Sequence, residues 1–590
     1  MSEAGAYRLP ALAPSEVNIV RNADGTIELA HPQPLAWCAP NLGWYLAEHA
    51  AKDPVRVFLG ARRADRADGG IDSITYAQAK TRVDALSQGL LDAGLGPERP
   101  LAILAENSIA FALLKLAAMQ VGIPIAPIST AYTQHAAGVE KLVYLLDRLR
   151  PGMIACDGSV ETQLVDARAP LIRLDDHRAF DRLAGTTPTA AVAAAVARVE
   201  PDHLAKILFT SGSTGMPKGV LTTHRMLISN IVAMRQVCPF IAGGPVLVDW
   251  LPWNHCYGGN FNFDIALING GSYYIDPARP VEGKFDTTLL AQVPPTFYLN
   301  VPVGFERLCT VLESDVAFAV RFFSRLDAMF YAGSTMPEPL WGRLIAVSRR
   351  TLGRAVMIFT SYGSTESTPA HTMAHWPTEG PSNIGVPLPG SRVKLLPIGG
   401  QLEIRSKGGN ITPGYFRDPE RTQALFDADG WMITDDAVSF VDANAPERGL
   451  HFHGRIAGNF KLLTGTWVPA DEIRIAAIAH GDGLVRDAII TGHDRAEIGL
   501  LVFLDPIAMD AATVSEARRR IAASLHAYNR SHPASSRRIG RFLILDEPPE
   551  RYARELTDKG YLNQTQARGS RANGVAALYA DPPGPEVERL

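Results

Sequence analysis

Short apolar runs alternate with segments of helical periodicity in the first part of the chain. The run "PLAILAE" (100–106) has the length and composition of a buried strand, and residues 107–121 place apolar side chains at helical spacing. A second apolar run, "IPIAPI" (123–128), follows directly. This order predicts a βαβ unit. Because such units build parallel sheets covered by helices, we expect an α/β domain.

The same alternation returns further along the chain. The runs "KILFT" (206–210) and "AVMIFTSYG" (355–363) are predicted strands, and residues 224–236 are a predicted helix. From "GGQLEIRSKGGNITPGYF" (399–416) onward, glycines, prolines and short alternating runs predominate, which favours a β-rich subdomain. The pattern predicts a large N-terminal domain of several subdomains with largely parallel sheets.

A different, shorter pattern ends the chain. Two apolar strands are predicted at "DAIITGH" (487–493) and "IGLLVFLD" (498–505), and a charged helix is predicted at 514–529. This is a compact α+β arrangement of the size of a small domain. We therefore predict an N-terminal domain over residues 1–455 and a small C-terminal domain over residues 456–590.

Composition narrows the class of protein. The chain has 590 residues, 46% of them hydrophobic and 20% charged, with a formal net charge of -4. This profile is typical of a multidomain enzyme and argues against nucleic acid as a partner. The five cysteines are scattered without CxxC spacing, which favours a reducing cytoplasm. The most apolar region is interrupted by Glu106, Asn107 and Lys115, and the amino terminus lacks a basic start before an apolar stretch, so we expect no membrane span and no signal peptide.

The segment "LFTSGSTGMPKGV" (208–220) is the first candidate for chemistry. Its glycines let backbone N–H groups approach an anion closely, and its hydroxyl groups and Lys218 add further donors and one positive charge. A phosphate is the expected ligand. Since Gly219 follows Lys218, the segment lacks the GxxxxGK[ST] spacing of the common P-loop. A flexible Gly/Ser linker is the alternative interpretation.

"TSGSTGMPKG" resembles the phosphate loop of the adenylate-forming superfamily, which includes acyl-CoA synthetases, luciferases and the adenylation domains of peptide synthetases. Further segments occur in that family's order, and the resemblance covers nearly the whole chain: "YAGSTMP" (331–337), "YGSTE" (362–366), "GVPLPGSRVKLLP" (385–397), "DGWMITDDA" (429–437), "HGRIAGNFKLLTGTWV" (453–468) and "LTDKGYLNQ" (556–564). The wording of the last two segments and of the opening "VNIVRNADGTIELAHPQPL" is most similar to feruloyl-CoA synthetases.

The resemblance implies a set of ATP-binding residues: Thr210, Ser211, Gly212, Ser213, Thr214, Gly215, Gly333, Ser334, Thr335, Tyr362, Gly363, Thr365, Asp436 and Arg455. In this family the turn at 333–335 contacts adenine, and Asp436 corresponds to the aspartate that binds the ribose. Two acceptor oxygens suit a vicinal diol. Without the motif register, a surface turn and an ordinary ion pair would be the simpler explanations.

The resemblance also implies three catalytic residues, Lys218, Glu366 and Lys559. Glu366 would bind Mg²⁺, with Thr214 as a second metal ligand. Lys559 would reach from the small, mobile C-terminal domain to the substrate carboxylate and the α-phosphate. His255 matches a histidine of the acyl channel. Taken alone, the charged residues would be solvated surface groups and His255 a packed core histidine.

Two positions depart from the family pattern, and one pair of adjacent residues, His255 and Cys256, could be taken for a catalytic pair. Ala457 stands where a hinge Asp or Lys is usual, so Gly458 is an alternative pivot. Asp435 stands where the family phrase "TGD" has glycine, and we expect this replacement to be tolerable if Asp435 keeps an ordinary backbone conformation. Cys256 follows His255, but neighbours on a strand point to opposite faces, so we expect no Cys/His catalytic pair.

The resemblance implies an ATP-dependent carboxylate-CoA ligase that works through an acyl-adenylate, with ATP, Mg²⁺ and CoA required. Ferulate or a related hydroxycinnamate is the expected acid, and a homodimer is one option for the assembly. A medium-chain fatty acid or another aryl acid is the alternative substrate. A non-catalytic nucleotide-binding homologue is an alternative from another class, although intact Lys218, Glu366, Asp436, Arg455 and Lys559 argue against it. A donor to a carrier protein is a third alternative.

Overall fold

The computed structural model describes most of the chain, in the following ranges: 7–62, 70–134, 136–161, 169–210, 216–278, 285–398, 400–505, 509, 513–549, 555–556 and 562–590. The strands, in chain order, are β1 (Tyr7–Arg8), β2 (Asn18–Arg21), β3 (Ile27–Ala30), β4 (Val57–Arg62), β5 (Ile71–Thr75), β6 (Leu101–Leu104), β7 (Ile125–Pro127), β8 (Met153–Cys156), β9 (Leu171–Arg173), β10 (Leu204–Thr210), β11 (Lys218–Thr223), β12 (Val246–Asp249), β13 (Ser272–Ile275), β14 (Phe297–Asn300), β15 (Ala328–Tyr331), β16 (Ala355–Tyr362), β17 (Thr372–Ala374), β18 (Asn383–Pro387), β19 (Ser391–Ile398), β20 (Gln401–Gly408), β21 (Met432–Phe440), β22 (Leu450–Arg455), β23 (Phe460–Lys461), β24 (Trp467–Val468), β25 (Val485–Thr491), β26 (Ile498–Leu504), β27 (Ile539–Ile544) and β28 (Val587–Arg589).

The α-helices, in chain order, are α1 (Leu42–Lys52), α2 (Tyr76–Asp92), α3 (Ile109–Gln120), α4 (Ala136–Leu149), α5 (Gly158–Glu161), α6 (His177–Ala184), α7 (Ala190–Ala197), α8 (His224–Val237), α9 (Phe263–Ile268), α10 (Thr288–Gln292), α11 (Pro302–Ser314), α12 (Val316–Phe323), α13 (Glu338–Leu352), α14 (Pro419–Ala424), α15 (Ala470–Ala479), α16 (Val514–Ser531), α17 (Gln564–Ser570) and α18 (Ala572–Leu578). A π-helical segment (Tyr257–Asn262) leads into α9, and a 3-10 turn (Ile456–Gly458) follows β22.

The predicted βαβ unit is confirmed. The β6 and β7 strands pair in parallel, and all four residues of β6 are buried. Helix α3 begins after Ser108, whose side chain accepts a hydrogen bond from the Phe111 backbone N–H and so satisfies one of the unpaired donors of the first turn. In the described chain these strands belong to a six-stranded sheet of order β11-β10-β7-β6-β8-β9. A second, four-stranded sheet has the order β12-β13-β4-β5, with its first three strands parallel.

The largest sheet joins distant parts of the chain. Within the described residues it has twelve strands, in the order β14-β15-β16-β17-β18-β22-β21-β20-β19-β3-β2, with β1 beside β16. Its first part is parallel, and the part from β17 onward is antiparallel. The β-rich subdomain predicted from residue 399 onward is therefore an extension of this sheet. The N-terminal strands β2 and β3 complete its far edge, a pairing that the sequence pattern did not predict.

The C-terminal part has its own hydrophobic core. The β25-β26-β27-β28 sheet packs with α15 and α16, and its core includes Phe460, Ile473, Ile498, Leu525 and Phe542. The predicted fold class is confirmed: the protein has a large N-terminal α/β domain with parallel sheets and a smaller α+β C-terminal domain. The border between residues 455 and 456 stays a prediction.

Among the described residues, no helix combines the length and the apolar character that are needed to cross a membrane.

Candidate active site

A cavity of about 1310 Å³ lies where the carboxyl ends of several parallel strands meet. Glu106 follows β6, Trp250 follows β12, Asp276 follows β13 and Ala332 follows β15, and all four line the cavity. Because strands in parallel sheets end at a common edge, residues far apart in sequence come together here.

Every predicted site residue that the structure describes lies on the wall of this cavity: Thr210, Lys218, His255, Gly333, Ser334, Thr335, Tyr362, Gly363, Thr365, Glu366, Asp436 and Arg455. The remaining predicted residues are outside the described residues: Ser211, Gly212, Ser213, Thr214, Gly215 and Lys559.

The two ends of the predicted phosphate loop are held side by side. Thr210 is the last residue of β10, Lys218 is the first residue of β11, and the two residues pair directly in the antiparallel register. The Thr210 hydroxyl has no hydrogen-bond partner within the described part of the chain. The hairpin therefore presents a hydroxyl and an ammonium group together at one edge of the cavity.

Lys218, Glu366 and Tyr415 form a closed triangle at this edge. The Lys218 Nζ lies 2.9 Å from Glu366 Oε1 and donates to the Tyr415 hydroxyl at 2.6 Å. The Tyr415 hydroxyl donates in turn to Glu366 Oε1 at 2.9 Å. Both contacts use the same carboxylate oxygen, Oε1.

This triangle keeps Glu366 ionised. Burial alone favours the neutral acid, but the charge of Lys218 and the hydrogen bonds from Lys218 and Tyr415 outweigh it and hold the pKa of Glu366 below its usual value. The side chain is only 12% exposed. The cavity therefore contains a desolvated carboxylate of full negative charge, which is the kind of oxygen ligand that Mg²⁺ prefers.

Tyr415 was not predicted from the sequence. It belongs to the segment 414–416, which pairs with β11 through hydrogen bonds from Phe416 N to Gly219 O and from Leu221 N to Gly414 O. The phrase "PGYF" contains a turn-forming pair and an aromatic residue. That composition indicates a turn but gives no sign that the tyrosine meets a lysine almost two hundred positions away in the chain.

A second carboxylate, Asp436, lies on strand β21 directly opposite Arg455 of β22. The Tyr362 hydroxyl donates to Asp436 Oδ2 at 2.7 Å, and the Arg455 Nε lies 3.7 Å from Oδ1. The Arg455 side chain is 65% exposed, whereas that of Asp436 is 14% exposed. The arginine is thus a loose, solvent-screened partner of this carboxylate.

The ionisation of Asp436 differs from that of Glu366. Burial raises the pKa of Asp436 to about 6, and Asp435 and Asp471 add to the increase, although the Arg455 charge and the Tyr362 hydrogen bond oppose it. This carboxyl therefore gains or loses its proton close to physiological pH.

The backbone of Asp435 does not have the ordinary conformation under which the replacement of glycine was expected to be tolerable. Its φ angle is 61°, in the left-handed region, where the family phrase has glycine. Asp435 is at a register shift between β20 and β21, and the turn of the strand there requires a positive φ. Aspartate adopts this conformation more readily than most residues with a β-carbon. The substitution therefore keeps the local backbone shape of a glycine position while adding a second carboxylate beside Asp436.

Gly363 and Gly333 shape the wall next to these groups. A β-carbon at Gly363 would lie 1.6 Å from the carbonyl oxygen of Pro369, so only glycine allows the two segments to approach. Gly333 has a φ angle of 91° and turns the chain after β15. Packing against Pro369 thus requires glycine at position 363. The ATP-binding role of both glycines stays a prediction.

The interpretation of His255 and Cys256 as strand neighbours was wrong, although both line the cavity. His255 lies in a bend and Cys256 at the first helical position before the π-helical segment Tyr257–Asn262. The Thr365 hydroxyl donates to Cys256 Sγ at 3.4 Å. The Cys256 sulfur thus accepts a hydrogen bond from a threonine of the predicted ATP-binding set, and this contact gives no support to a Cys/His pair.

The profile of the AMP-binding enzyme family matches residues 46–416, which is more than half of the chain. The chain belongs to the AMP-binding enzyme family. A second profile, that of the AMP-binding enzyme C-terminal domain, matches residues 467–582. The two matched ranges contain all of the predicted site residues except Asp436 and Arg455, which lie between them.

Relatives of this AMP-binding enzyme include human long-chain-fatty-acid-CoA ligase 6, which is 26% identical over 337 residues. That alignment covers 48% of the present chain and 47% of the human protein, so the chain spans about half the length of this relative.

Solved structures show the same fold. The ATP-bound MatB of Rhodopseudomonas palustris superimposes with a TM-score of 0.69 at 23% identity, covering 90% of this AMP-binding enzyme and 99% of MatB. The O-succinylbenzoate coenzyme A synthetase MenE of Bacillus subtilis, solved with AMP, gives a TM-score of 0.67 at 19% identity, covering 90% and 98% of the two chains. At these identities the likeness concerns the fold.

Proposed function

We propose that this AMP-binding enzyme is a carboxylate-CoA ligase that joins an acid to CoA through an acyl-adenylate, using ATP and releasing AMP and pyrophosphate. The observation that carries the proposal is that the described motif residues line one cavity. This cavity contains the Glu366 carboxylate, which is paired with Lys218, and the Asp436 carboxylate, which accepts a hydrogen bond from Tyr362. Family membership supports the same reaction class.

The chemistry requires such a site. A carboxylate is a poor acyl donor because its negative charge repels nucleophiles and oxide is a poor leaving group. In the first step a carboxylate oxygen attacks the α-phosphorus of ATP, the bond from that phosphorus to the β-bridging oxygen breaks, and pyrophosphate leaves. In the second step the CoA sulfur attacks the acyl carbon and AMP leaves. Both steps depend on alignment and on neutralising charge.

Lys218 and Thr210 are proposed to bind the triphosphate. The paired ends of β10 and β11 present two groups at the same edge: the Thr210 hydroxyl, which has no hydrogen-bond partner among the described residues, and the ammonium of Lys218. A phosphate oxygen would accept from both groups. Ser211, Gly212, Ser213, Thr214 and Gly215 are proposed to complete this loop.

Glu366 is proposed to hold Mg²⁺, with Thr214 as a second ligand. The Glu366 carboxylate fits because it is buried and ionised, and because its contacts with Lys218 and Tyr415 both use one oxygen, Oε1. When bound, the ion would share the charge of the departing pyrophosphate. Lys218 and Tyr415 fix the carboxylate in place through Oε1.

Asp436 is proposed to bind the ribose hydroxyls, with Tyr362 orienting it. The tyrosine donor occupies Oδ2, and Oδ1 is left facing the loosely held Arg455. A diol would donate to Oδ1, and Arg455 is exposed enough to move to the phosphate. Gly333, Ser334 and Thr335 are proposed to border the adenine, where the turn after β15 leaves the backbone accessible.

Ferulate or a related hydroxycinnamate is the proposed acid, and His255 is proposed to line its channel. Trp250, Tyr257 and Tyr331 supply aromatic walls within the cavity. Asp276 also lines it; this carboxyl is buried, and burial raises its pKa to about 6. Asp276 Oδ1 accepts a hydrogen bond from the Ala278 backbone N–H. A phenolic hydroxyl would give this carboxyl a further donor, whereas an alkyl chain would give it none.

A panel of acids tests both the reaction and the substrate. AMP release would be measured for ferulate, for cinnamate, which lacks the phenol, and for medium- and long-chain fatty acids, each with and without CoA. The proposal expects CoA-dependent AMP release with ferulate at the highest kcat/KM. A fatty acid at the top of the series would contradict the aromatic assignment. Absence of ATP/pyrophosphate exchange with every acid would favour the non-catalytic alternative.

Lys559 is proposed as the lysine that bridges the substrate carboxylate and the α-phosphate, and residues 456–590 as the domain that presents it. Lys559→Ala should slow acyl-adenylate formation by several orders of magnitude, because a charged transition-state contact is lost. Thioester formation from prepared feruloyl-AMP and CoA should remain nearly intact. Both half-reactions can be followed chromatographically with one purified variant. Equal losses in the two halves would overturn this division of roles.

A further inference from the structure

A cluster of histidine and glutamate side chains lies away from the cavity, where β22 meets α15. His451 and His453 occupy alternate positions of β22, and Glu472 lies in the first turn of α15. Because side chains alternate across a strand, the two histidines share one face, opposite to Phe452, which lines the cavity. Neither histidine nor Glu472 lines that cavity.

The donor atoms of these three residues converge. One ligand atom from each of the three lies within 4.8 Å of those from the other two. The imidazole rings of His451 and His453 have centroids 4.8 Å apart, and His453 Nδ1 lies 2.5 Å from Glu472 Oε1. Within the described ranges the His451 ring makes no hydrogen bond.

Other side chains already hold two of these groups in ligand orientations. The His453 Nε2 lies 2.8 Å from the Ser439 hydroxyl, and this contact directs Nδ1 toward Glu472. The Arg537 Nη2 donates to Glu472 Oε2 at 2.8 Å, which directs Oε1 toward His453. Metal-binding histidines and carboxylates are typically fixed in this way by hydrogen bonds to their second nitrogen or oxygen.

We propose that His451, His453 and Glu472 bind one zinc-class divalent cation that ties helix α15 to strand β22. Two imidazole nitrogens and one carboxylate oxygen are a known ligand set for Zn²⁺, with the fourth position open to water. The ion would join the end of the predicted N-terminal domain to the beginning of the predicted C-terminal domain, across the 3-10 turn Ile456–Gly458.

Binding would displace the close contact between His453 and Glu472. Zinc-ligand bonds of about 2 Å at tetrahedral angles place neighbouring ligand atoms roughly 3.3 Å apart, so the carboxylate would move back by about 1 Å.

The test uses the full-length protein after treatment with a chelator, and Zn²⁺ alone as the probe. Isothermal titration at neutral pH should give one zinc per chain, and Co²⁺ should give the visible spectrum of a tetrahedral nitrogen and oxygen site. His453→Gln and Glu472→Gln should each lose the titration and the spectrum. Ser439→Ala, which removes only an outer contact, should weaken binding about 10- to 100-fold.

His526→Ala is the matched control, because His526 is an exposed histidine on α16, outside the cluster. It should bind zinc like the unaltered protein. Circular dichroism would verify that each variant is folded. Failure to bind zinc at all, or binding that survives both glutamine variants, would overturn the proposal and leave the cluster as a hydrogen-bonded His-Glu-Arg contact. Since no ATP or acid is present, the result does not depend on the proposed ligase activity.

Discussion

The cavity contains two buried carboxylates whose ionisation differs in direction. Glu366 is held by a lysine at 2.9 Å and by a tyrosine donor, and its pKa lies below the usual value. Asp436 is about equally buried, but its arginine lies at 3.7 Å and is largely exposed, and its pKa rises to about 6. Burial acts in the same direction on both groups, so the neighbouring charges decide the outcome. Glu366 has a close cation, whereas Asp436 has a more distant, exposed cation and two neighbouring carboxylates, Asp435 and Asp471.

The difference suits the two tasks proposed for these groups. A divalent cation requires a ligand that is charged at every working pH, and the Lys218 triangle would keep Glu366 in that state. A ribose hydroxyl needs only an acceptor, so a carboxyl that titrates near neutrality suffices. Changes that remove the cationic partner of Glu366, or the charge of either carboxylate, should make Glu366 and Asp436 behave more alike.

Among changes at the two carboxylates and their partners, the largest effect is expected for Glu366→Gln. An amide oxygen lacks the charge that holds a hard divalent cation, so kcat/KM at limiting Mg²⁺ should fall on the order of 100-fold. Raising the Mg²⁺ concentration should recover part of the loss. The measurement is AMP release across a magnesium series. Activity equal to that of the unaltered protein at low magnesium would contradict the metal-binding role.

Lys218→Ala should come next and should make Glu366 resemble Asp436. Loss of a charge-assisted phosphate contact costs about 1.5 to 3 kcal/mol, or roughly 10- to 150-fold in kcat/KM for ATP. With the cation gone, burial should raise the pKa of Glu366, and activity should fall further as the pH is lowered. Lys52→Ala, at an exposed position of α1, is the control. An unchanged kcat/KM for ATP would exclude the phosphate role.

The pH dependence of ATP binding should follow Asp436. As the pH falls through about 6 this carboxyl becomes protonated, so KM for ATP should rise, by about tenfold at one unit below. Asp436→Asn should have a raised KM at every pH and should lack this dependence. A KM that is flat between pH 5 and 8 in the unaltered protein would contradict the assignment.

Asp436 should also make the free energy of unfolding depend on pH. Its pKa is raised from 3.8 to about 6 on folding, so the folded protein binds more protons than the unfolded chain between these values. Stability therefore falls as the pH rises from about 4 to 6, by about 2 to 3 kcal/mol from this group. Glu366, with a lowered pKa, acts in the opposite sense and loses its contribution in acid. Urea unfolding of the unaltered protein and of Asp436→Asn at both pH values measures the difference.

The smallest effect is expected for Tyr415→Phe. This change removes one hydrogen bond to Glu366 and one acceptor for Lys218 while the direct ion pair remains. The cost should be about 0.5 to 1.5 kcal/mol, or roughly two- to tenfold in kcat/KM for ATP. Tyr362→Phe is the matching change at Asp436. If Tyr415→Phe equalled Lys218→Ala, the tyrosine and not the lysine would hold the carboxylate.

The sequence by itself determined the local elements and the identity of most site residues. Apolar periodicity depends on neighbouring residues alone, so β6, α3 and β7 were predicted where they occur. The motif resemblance named Lys218, Glu366 and Asp436 as site residues, and their roles stay predictions; the AMP-binding enzyme profile covers the first two.

The tertiary structure decided which groups meet and how they are charged. Tyr415, the left-handed Asp435, the edge strands β2 and β3 and the His451 cluster all depend on contacts between distant segments. Local pattern carries no information about such contacts. A pKa likewise depends on burial and on the distance to the nearest opposite charge, and both are fixed only when the chain has folded.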